Sequence, residues 1–322
     1  MELQELAEKI LQGNIRAIGK GITLIESTRP EHNCQAAELL DLLLPHSGNS
    51  LRIGITGVPG VGKSTFIESF GSYLTSQGYK VAVLAVDPSS QITGGSILGD
   101  KTRMEELSRD PNAFIRPSPA GETLGGVARR TRETIILSEA AGYDIVIVET
   151  VGVGQSEITV ASMVDFFLLL QLATAGDELQ GIKKGVMELA DGIIINKADL
   201  DRQKTKLAKG QYENALHILR PKSRNWTVPV LTTSALQHEG MAEVWQMLAD
   251  FRKIMTETGE FAGNRKHQAV DWMWSLVQED LKYLFMRHKN VQGVLPQLLE
   301  AVEKGITTPS AASKRLMELF SR

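Results

Sequence analysis

The run "GITGVPGVGKSTF", residues 54–66, constrains this chain more than any other stretch. Within it, Gly57 to Ser64 fits G-x-x-x-x-G-K-S/T. The apolar run "LRIGIT" precedes it and the helical pattern "KSTFIESFGSYL" follows it. A glycine-rich turn between a strand and a helix directs several backbone N–H groups into one concavity, where they and the positive helix end stabilise phosphate. The stretch Gly57, Val58, Pro59, Gly60, Val61, Gly62, Lys63, Ser64 and Thr65 is therefore a candidate phosphate grip. Lys63 supplies a mobile cation for the β and γ phosphates, and the Ser64 hydroxyl is placed for Mg²⁺.

The texture around this motif extends the fold. Short apolar runs recur at 51–56, 80–87, 144–150, 165–173, 192–197 and 228–235, most of them apolar on both faces. That is the pattern of strands covered by helices on both sides of a parallel sheet. The spacers are mostly long enough for crossover helices, which predicts a doubly wound, mostly parallel α/β domain over 48–255. Residues 1–47 read as a helical extension, with a stop at Gly13-Asn14. Residues 256–322 read as a second helical region. In it Val270, Met273, Trp274, Val277, Leu281, Leu284 and Phe285 form one apolar stripe, and Trp272, Leu276 and Tyr283 a second. Two stripes must both be buried, either within one chain or against a second subunit. Residues 291–322 read as two more short helices, broken near Gly305 and Pro309.

A second motif, "NKAD" at 196–199, ends the strand "GIIINK". Guanine presents an N1–H and a 2-amino group on one edge, and the Asp199 carboxylate can accept from both. Adenine offers neither donor there, and a site built for a particular group rejects the analogue lacking it by about 10⁴-fold or more. Asn196 is expected to tie this loop to the phosphate grip, and the Lys197 stem to lie along the base. Farther on, a backbone N–H of Ser234, Ala235 or Leu236 is placed to donate to guanine O6.

Three acidic residues stand where strands or their loops meet the γ-phosphate: Asp87, Asp100 and Glu149. With Ser64 they form a candidate Mg²⁺ set of oxygen ligands, some acting through water. Lys63, Asp87, Asp100 and Glu149 are the candidate catalytic residues. The Gly152 N–H is placed to bond the γ-phosphate only while it is present, which would make "VGVGQSE" a switch. Gln155, Asp87 and Asp100 are alternatives for orienting the attacking water. The loop "ATAGDELQGIKKG", 173–185, reads either as a second mobile element or as a helix cap.

Composition narrows the partners. The formal net charge of −3 leaves no broad basic field for nucleic acid. Cys34 is the single cysteine, so no intrachain disulfide can form, as befits a reducing cytoplasm. The most apolar stretch, "FFLLLQLA", is far too short to cross a bilayer as a helix. The histidines are scattered, with no H-x-H or C-x-x-C.

Seven runs carry a family resemblance: "TGVPGVGKST", "VLAVDPSS", "GGSILGDKTRM", "RPSPAGETLGG", "ETVGVGQSE", "GDELQGIKKG" and "NKAD". In these the chain resembles the methylmalonyl-CoA mutase-associated G proteins of MeaB or ArgK type, which are similar in fold to the metallochaperone GTPases. The resemblance implies a P-loop G domain with helical extensions on both sides, slow Mg²⁺-dependent GTP hydrolysis stimulated by a partner, and a homodimer. It further implies binding to an adenosylcobalamin-dependent methylmalonyl-CoA mutase, gating of cofactor loading and protection from inactivation. "GDELQGIKKG" resembles the family's additional switch. No cobalamin site is recognisable in the chain itself. A metal-insertion GTPase and a nucleotide-dependent kinase linked to amino-acid transport are the competing readings.

Overall fold

Strand formation follows the apolar runs. In the computed structural model, β1 (Leu51–Gly57), β2 (Val81–Val86), β3 (Ala113–Arg116), β4 (Ile145–Thr150), β5 (Phe166–Leu172), β6 (Gly192–Asn196) and β7 (Val230–Thr232) form one sheet in the order β3-β2-β4-β1-β5-β6-β7. Every neighbouring pair is parallel, so the fold is the doubly wound α/β architecture expected. Six strands coincide with the apolar runs; β3 is an addition. The structure describes residues 2–27, 29–86, 104–116, 124–150, 155–173, 184–219 and 222–321.

The chain divides into two compact units, Met1–Arg265 and Lys266–Arg322. In the first, alternate residues of the strands feed opposite cores, as the two-residue period of a strand requires. Ile53, Ile55, Val83, Ile147 and Leu168 pack with Phe66 and Phe70 of α4 (Lys63–Ser76). α5 (Glu105–Arg109) adds Leu107 to this cluster. Val146, Val148, Leu84 and Phe167 face the other way, against Ile135 and Leu137 of α6 (Leu124–Ala140). The same cluster takes in Ile10 of α1 (Leu3–Leu11), Ile18 and Ile22 of α2 (Ile15–Glu26) and Leu39 of α3 (Pro30–Leu43). The N-terminal helices thus share a core with one face of the sheet. Between α1 and α2, Gly13 supplies the stop, while Asn14 begins the next helix: its Oδ1 accepts from Ala17 N at 3.1 Å, an N-cap.

The first unit is completed by α7 (Gln155–Ala161), α8 (Lys184–Leu189), α9 (Arg202–Ile218) and α10 (Met241–Glu257). α11 (Glu260–Arg287) contains the boundary between the units. In the second unit, α12 (Lys289–Glu303) packs on α13 (Pro309–Phe320), burying Val291 and Ala312. No residue of α11 is buried, and Val270, Met273, Trp274, Val277, Leu281 and Leu284 are all exposed. Among the described residues, no helix is long and apolar enough to cross a membrane.

An ionic cluster closes the end of the sheet where the central strand β1 begins. Arg52 donates from Nε and Nη2 to the two oxygens of Glu139, at 2.8 and 2.7 Å. The Glu139 side chain is fully buried. Ser50 Oγ and Gly48 N also donate to Glu139, at 2.6 and 2.9 Å. Arg265 of α11 forks onto Asp165 at 2.7 and 2.6 Å and donates to the carbonyls of Gly48 and Ser50. Asp165 in turn accepts from Arg52 N at 2.8 Å.

Burial pushes the Glu139 carboxyl up, but the hydrogen bonds and charge of Arg52, with Ser50 and Arg265, outweigh it and hold the group below its usual value. The stabilisation this gives is complete above the ordinary carboxylate value of about 4. It is lost as pH falls through the lowered folded value, because the unfolded chain takes up that proton first. Removing one partner of a buried ion pair leaves the other uncompensated, so Glu139→Gln is expected to destabilise the chain by about 3–5 kcal/mol at pH 7. Urea denaturation across pH checks this, and the gap from wild type should narrow on acidification below about pH 4.

Candidate functional site: a nucleotide cradle at the carboxyl ends of the strands

Beyond β1 the order of strands reverses: β4 pairs on one side of it and β5 on the other. In open parallel sheets such a switch point leaves a crevice at the strand carboxyl ends, where ligands bind. Residues 58–62 sit at this point, between β1 and α4. Val61 N donates back to Val58 O at 3.2 Å, forming a tight turn, and the Val61 side chain is buried in the core. Two glycines are obligatory on geometric grounds. A Cβ on Gly57 would lie 2.6 Å from Leu170 O. Gly62 caps α4 at φ 91°, in the left-handed region, and a Cβ there would meet Asn196 Nδ2 at 3.0 Å. The first amides of α4 have no acceptor one turn back and are available to an anion.

Lys63 folds across this turn, its Nζ donating to Gly57 O at 2.8 Å and to Val58 O at 3.4 Å. Burial lowers its pKa, opposed by the charges of Glu149 and Glu157. Ser64 Oγ donates to Glu149 Oε1 at 3.3 Å. Glu149 is buried near the end of β4, in register with Ile55 of β1 and Ala85 of β2. A hydroxyl and a carboxylate side by side are the hard oxygen donors that Mg²⁺ takes. Thr65, in the first turn of α4, is exposed.

The second motif meets the first through one side chain. Asn196, buried at the end of β6, donates from Nδ2 to Val61 O at 2.9 Å. Its Oδ1 accepts from Thr233 Oγ1 and from Ala235 N, both at 3.2 Å. Lys197 adopts φ 60°, rare for a residue with a side chain, and its Nζ donates to Gly60 O at 2.9 Å. Asp199 Oδ1 accepts from Ser234 Oγ at 2.5 Å. Ser234 N is occupied by Glu239 O and Ala235 N by Asn196. Of the three amides considered for guanine O6, that of exposed Leu236 has no partner among the described residues.

Asp87, Asp100 and Gly152 lie outside the described residues, as do the Gln155 side chain and 174–183 of the loop 173–185. Sequence reasoning passed over Thr56, Thr150 and Glu157. Thr150 Oγ1 donates to Thr56 Oγ1 at 2.8 Å, and Thr56 Oγ1 lies 3.5 Å from Glu157 Oε1. The signal for Glu157 was helical phase: it stands three residues before Val160, on the buried face of α7, while Ile158 points outward.

Asn196→Ala would leave Val61 O, the Ala235 amide and the Thr233 hydroxyl without this partner. At about 1–3 kcal/mol for each buried group left unmatched, the nucleotide-free protein is expected to lose at least about 2 kcal/mol, measurable by urea unfolding without added ligand.

Comparison with known proteins agrees with this geometry. Residues 18–290 match the family model described as methylmalonyl Co-A mutase-associated GTPase MeaB. The chain is 52% identical over 315 residues to a probable GTPase of Mycobacterium tuberculosis, covering 98% of this chain and 94% of that one. It is 48% identical over 319 residues to GTPase ArgK of Escherichia coli, covering 99% and 96%. To the mouse methylmalonic aciduria type A homolog, mitochondrial, it is 45% identical over 322 residues, covering 97% and 78%. A crystal structure of a LAO/AO transport system kinase superposes with a TM-score of 0.81 at 41% identity, covering 99% and 98%. A family match over most of the chain, carried by the same strand, turn and helix that build the cradle, makes this protein a member of the methylmalonyl-CoA mutase-associated GTPase family.

Proposed function

We propose that this protein is a Mg²⁺-dependent GTPase that binds an adenosylcobalamin-dependent methylmalonyl-CoA mutase, gates the loading of its cofactor and protects it from inactivation. The observation that carries the nucleotide reading is the side chain of Asn196. It joins the phosphate turn, through Val61 O, to the loop that presents Ala235 and Leu236. One ligand spanning both ends is what such a tie suits.

In this reading the backbone amides of Gly60 to Thr65 hold the phosphates, and Lys63 exchanges its two carbonyl partners for phosphate oxygens. Ser64 and Glu149, with Asp87 and Asp100, would hold Mg²⁺, which neutralises charge on the β and γ phosphates. Asp199 keeps one oxygen on Ser234 and offers its remaining lone pairs to guanine N1–H and the 2-amino group. The Leu236 amide donates to O6. Hydrolysis breaks the bond between the γ-phosphorus and the bridging oxygen as water attacks in line. This chain contributes positioning and charge neutralisation, the principal demands of phosphoryl transfer. Gly152 contacts the γ-phosphate and releases it on hydrolysis, and 173–185 carries the nucleotide state to the mutase.

The exposed stripe on α11 supports a homodimer. Val270, Met273, Val277, Leu281 and Leu284 recur at spacings of three and four, the seam of a paired helix. The cofactor belongs to the mutase, and no cobalamin contact is assigned to this chain. A reducing compartment such as the cytoplasm suits its single cysteine. The name of the solved relative favours a second reading, a kinase. Label from the γ-phosphate of GTP would then appear on an acceptor instead of as free phosphate.

Asp199→Ala is expected to erase the preference for GTP over ATP, a loss on the order of 10⁴-fold by calorimetry. Asp199→Asn presents one donor and one acceptor, and is expected to favour xanthosine triphosphate, whose C2 carbonyl replaces the amino group.

The partner reading is tested with purified methylmalonyl-CoA mutase. Co-elution as a complex containing two copies of this chain, with faster phosphate release from GTP, is expected by light scattering and a multiple-turnover assay. Separate elution and an unchanged rate would refute it.

A further inference from the structure

Glu157 is a buried acid to which the proposed reaction gives no role. It lies in the first turn of α7 with 3% of its surface exposed. Among the described residues its carboxylate accepts from two hydroxyls, both at long range: Thr56 Oγ1 at 3.5 Å and Ser156 Oγ at 3.4 Å. A buried carboxylate is costly unless it is paired and well hydrogen-bonded. Both contacts are uncharged and at the long limit of a hydrogen bond.

Its position gives the carboxylate a use. Thr56 directly precedes Gly57, where the phosphate turn leaves β1, and it is also bonded to Thr150 at the end of β4. α7 therefore touches the base of the phosphate turn through the carboxylate of Glu157. Lys63 is the cation that senses both this carboxylate and Glu149, each raising its proton affinity. Lys63 rests on the carbonyls of Gly57 and Val58. When phosphate claims that cation, Glu157 faces added negative charge with less compensation. Coulomb repulsion in a site sheltered from water is felt more strongly than in bulk solvent.

We propose that Glu157 is a positioning residue through which α7 registers the charge held at the phosphate turn, its carboxylate opposing the triphosphate more than the diphosphate and so biasing α7 away from Thr56 when the γ-phosphate is present. This rests on the reading of the cradle as a guanine-nucleotide site. A ligand shifts a two-state element only by its differential interaction with the two states. The carboxylate supplies that difference without touching nucleotide.

Glu157→Gln in the full-length protein tests it, because glutamine keeps the shape and the hydroxyl contacts while removing the charge. Affinities for GDP and for a non-hydrolysable GTP analogue are measured by calorimetry at fixed Mg²⁺ and salt, with hydrogen exchange of the 156–161 amides in each complex. The variant is expected to gain at least about threefold in its preference for the triphosphate analogue over GDP, since a single charge at this range changes binding by that order. The difference in α7 exchange between the two complexes should shrink. Glu157→Ala, which also loses the contacts, is expected to show the same gain in preference whatever it does to thermal stability. An unchanged preference and unchanged exchange difference in Glu157→Gln, with wild type binding both nucleotides, would overturn this proposal alone. Wild type that binds neither would overturn the guanine-nucleotide reading and this proposal with it.

Discussion

Everything at the site hangs from the pairing of β1 with β4 on one side and β5 on the other. A central parallel strand cannot slide without moving its apolar set out of both cores. Its start is fastened by Arg52 to Glu139 and Asp165, and its end passes straight into Gly57. The phosphate turn therefore projects from a strand held along its length. The chemistry is placed on a firmly held mount.

Much of this was legible in the residues. Strands apolar on both faces could only be interior members of a covered sheet, and the glycine turn had to fall between one of them and a helix. What escaped notice had physical reasons. β3 is four residues at the sheet edge, alternating buried and half-buried, too short and too mixed to stand out from a loop. Asn14 looked like part of a stop and proved to be the start of α2, because its side chain bonds forward. The Arg52–Glu139 contact spans 87 positions and the Arg265–Asp165 contact 100, and no local pattern announces such partners. At the cradle, residue types were readable but the allocation of amides was not. Which of Ser234, Ala235 and Leu236 is free depends on where Asn196 and Glu239 point.

The electrostatics of the site follow one theme. Around Lys63 two buried carboxylates outnumber the cation, and the lysine is turned onto backbone carbonyls. Such an arrangement is primed for polyanionic ligand and divalent cation together more than for either alone, because each compensates what the other leaves exposed. The base end is the reverse. There nearly every polar atom of the described residues is matched within the fold, so at the proposed guanine site recognition needs little rearrangement and discrimination comes from what is left unmatched.

The exposed strip along α11 bears on the chain's life before the proposed pairing. In the proposed homodimer these apolar side chains are shielded only once two copies have met, and contiguous greasy surface is also what promotes unwanted adhesion. On that view the hazard period after synthesis is set by the rate of encounter, which depends on abundance, and hardly at all by how fast the sheet assembles. Scarce expression would then lengthen the vulnerable interval.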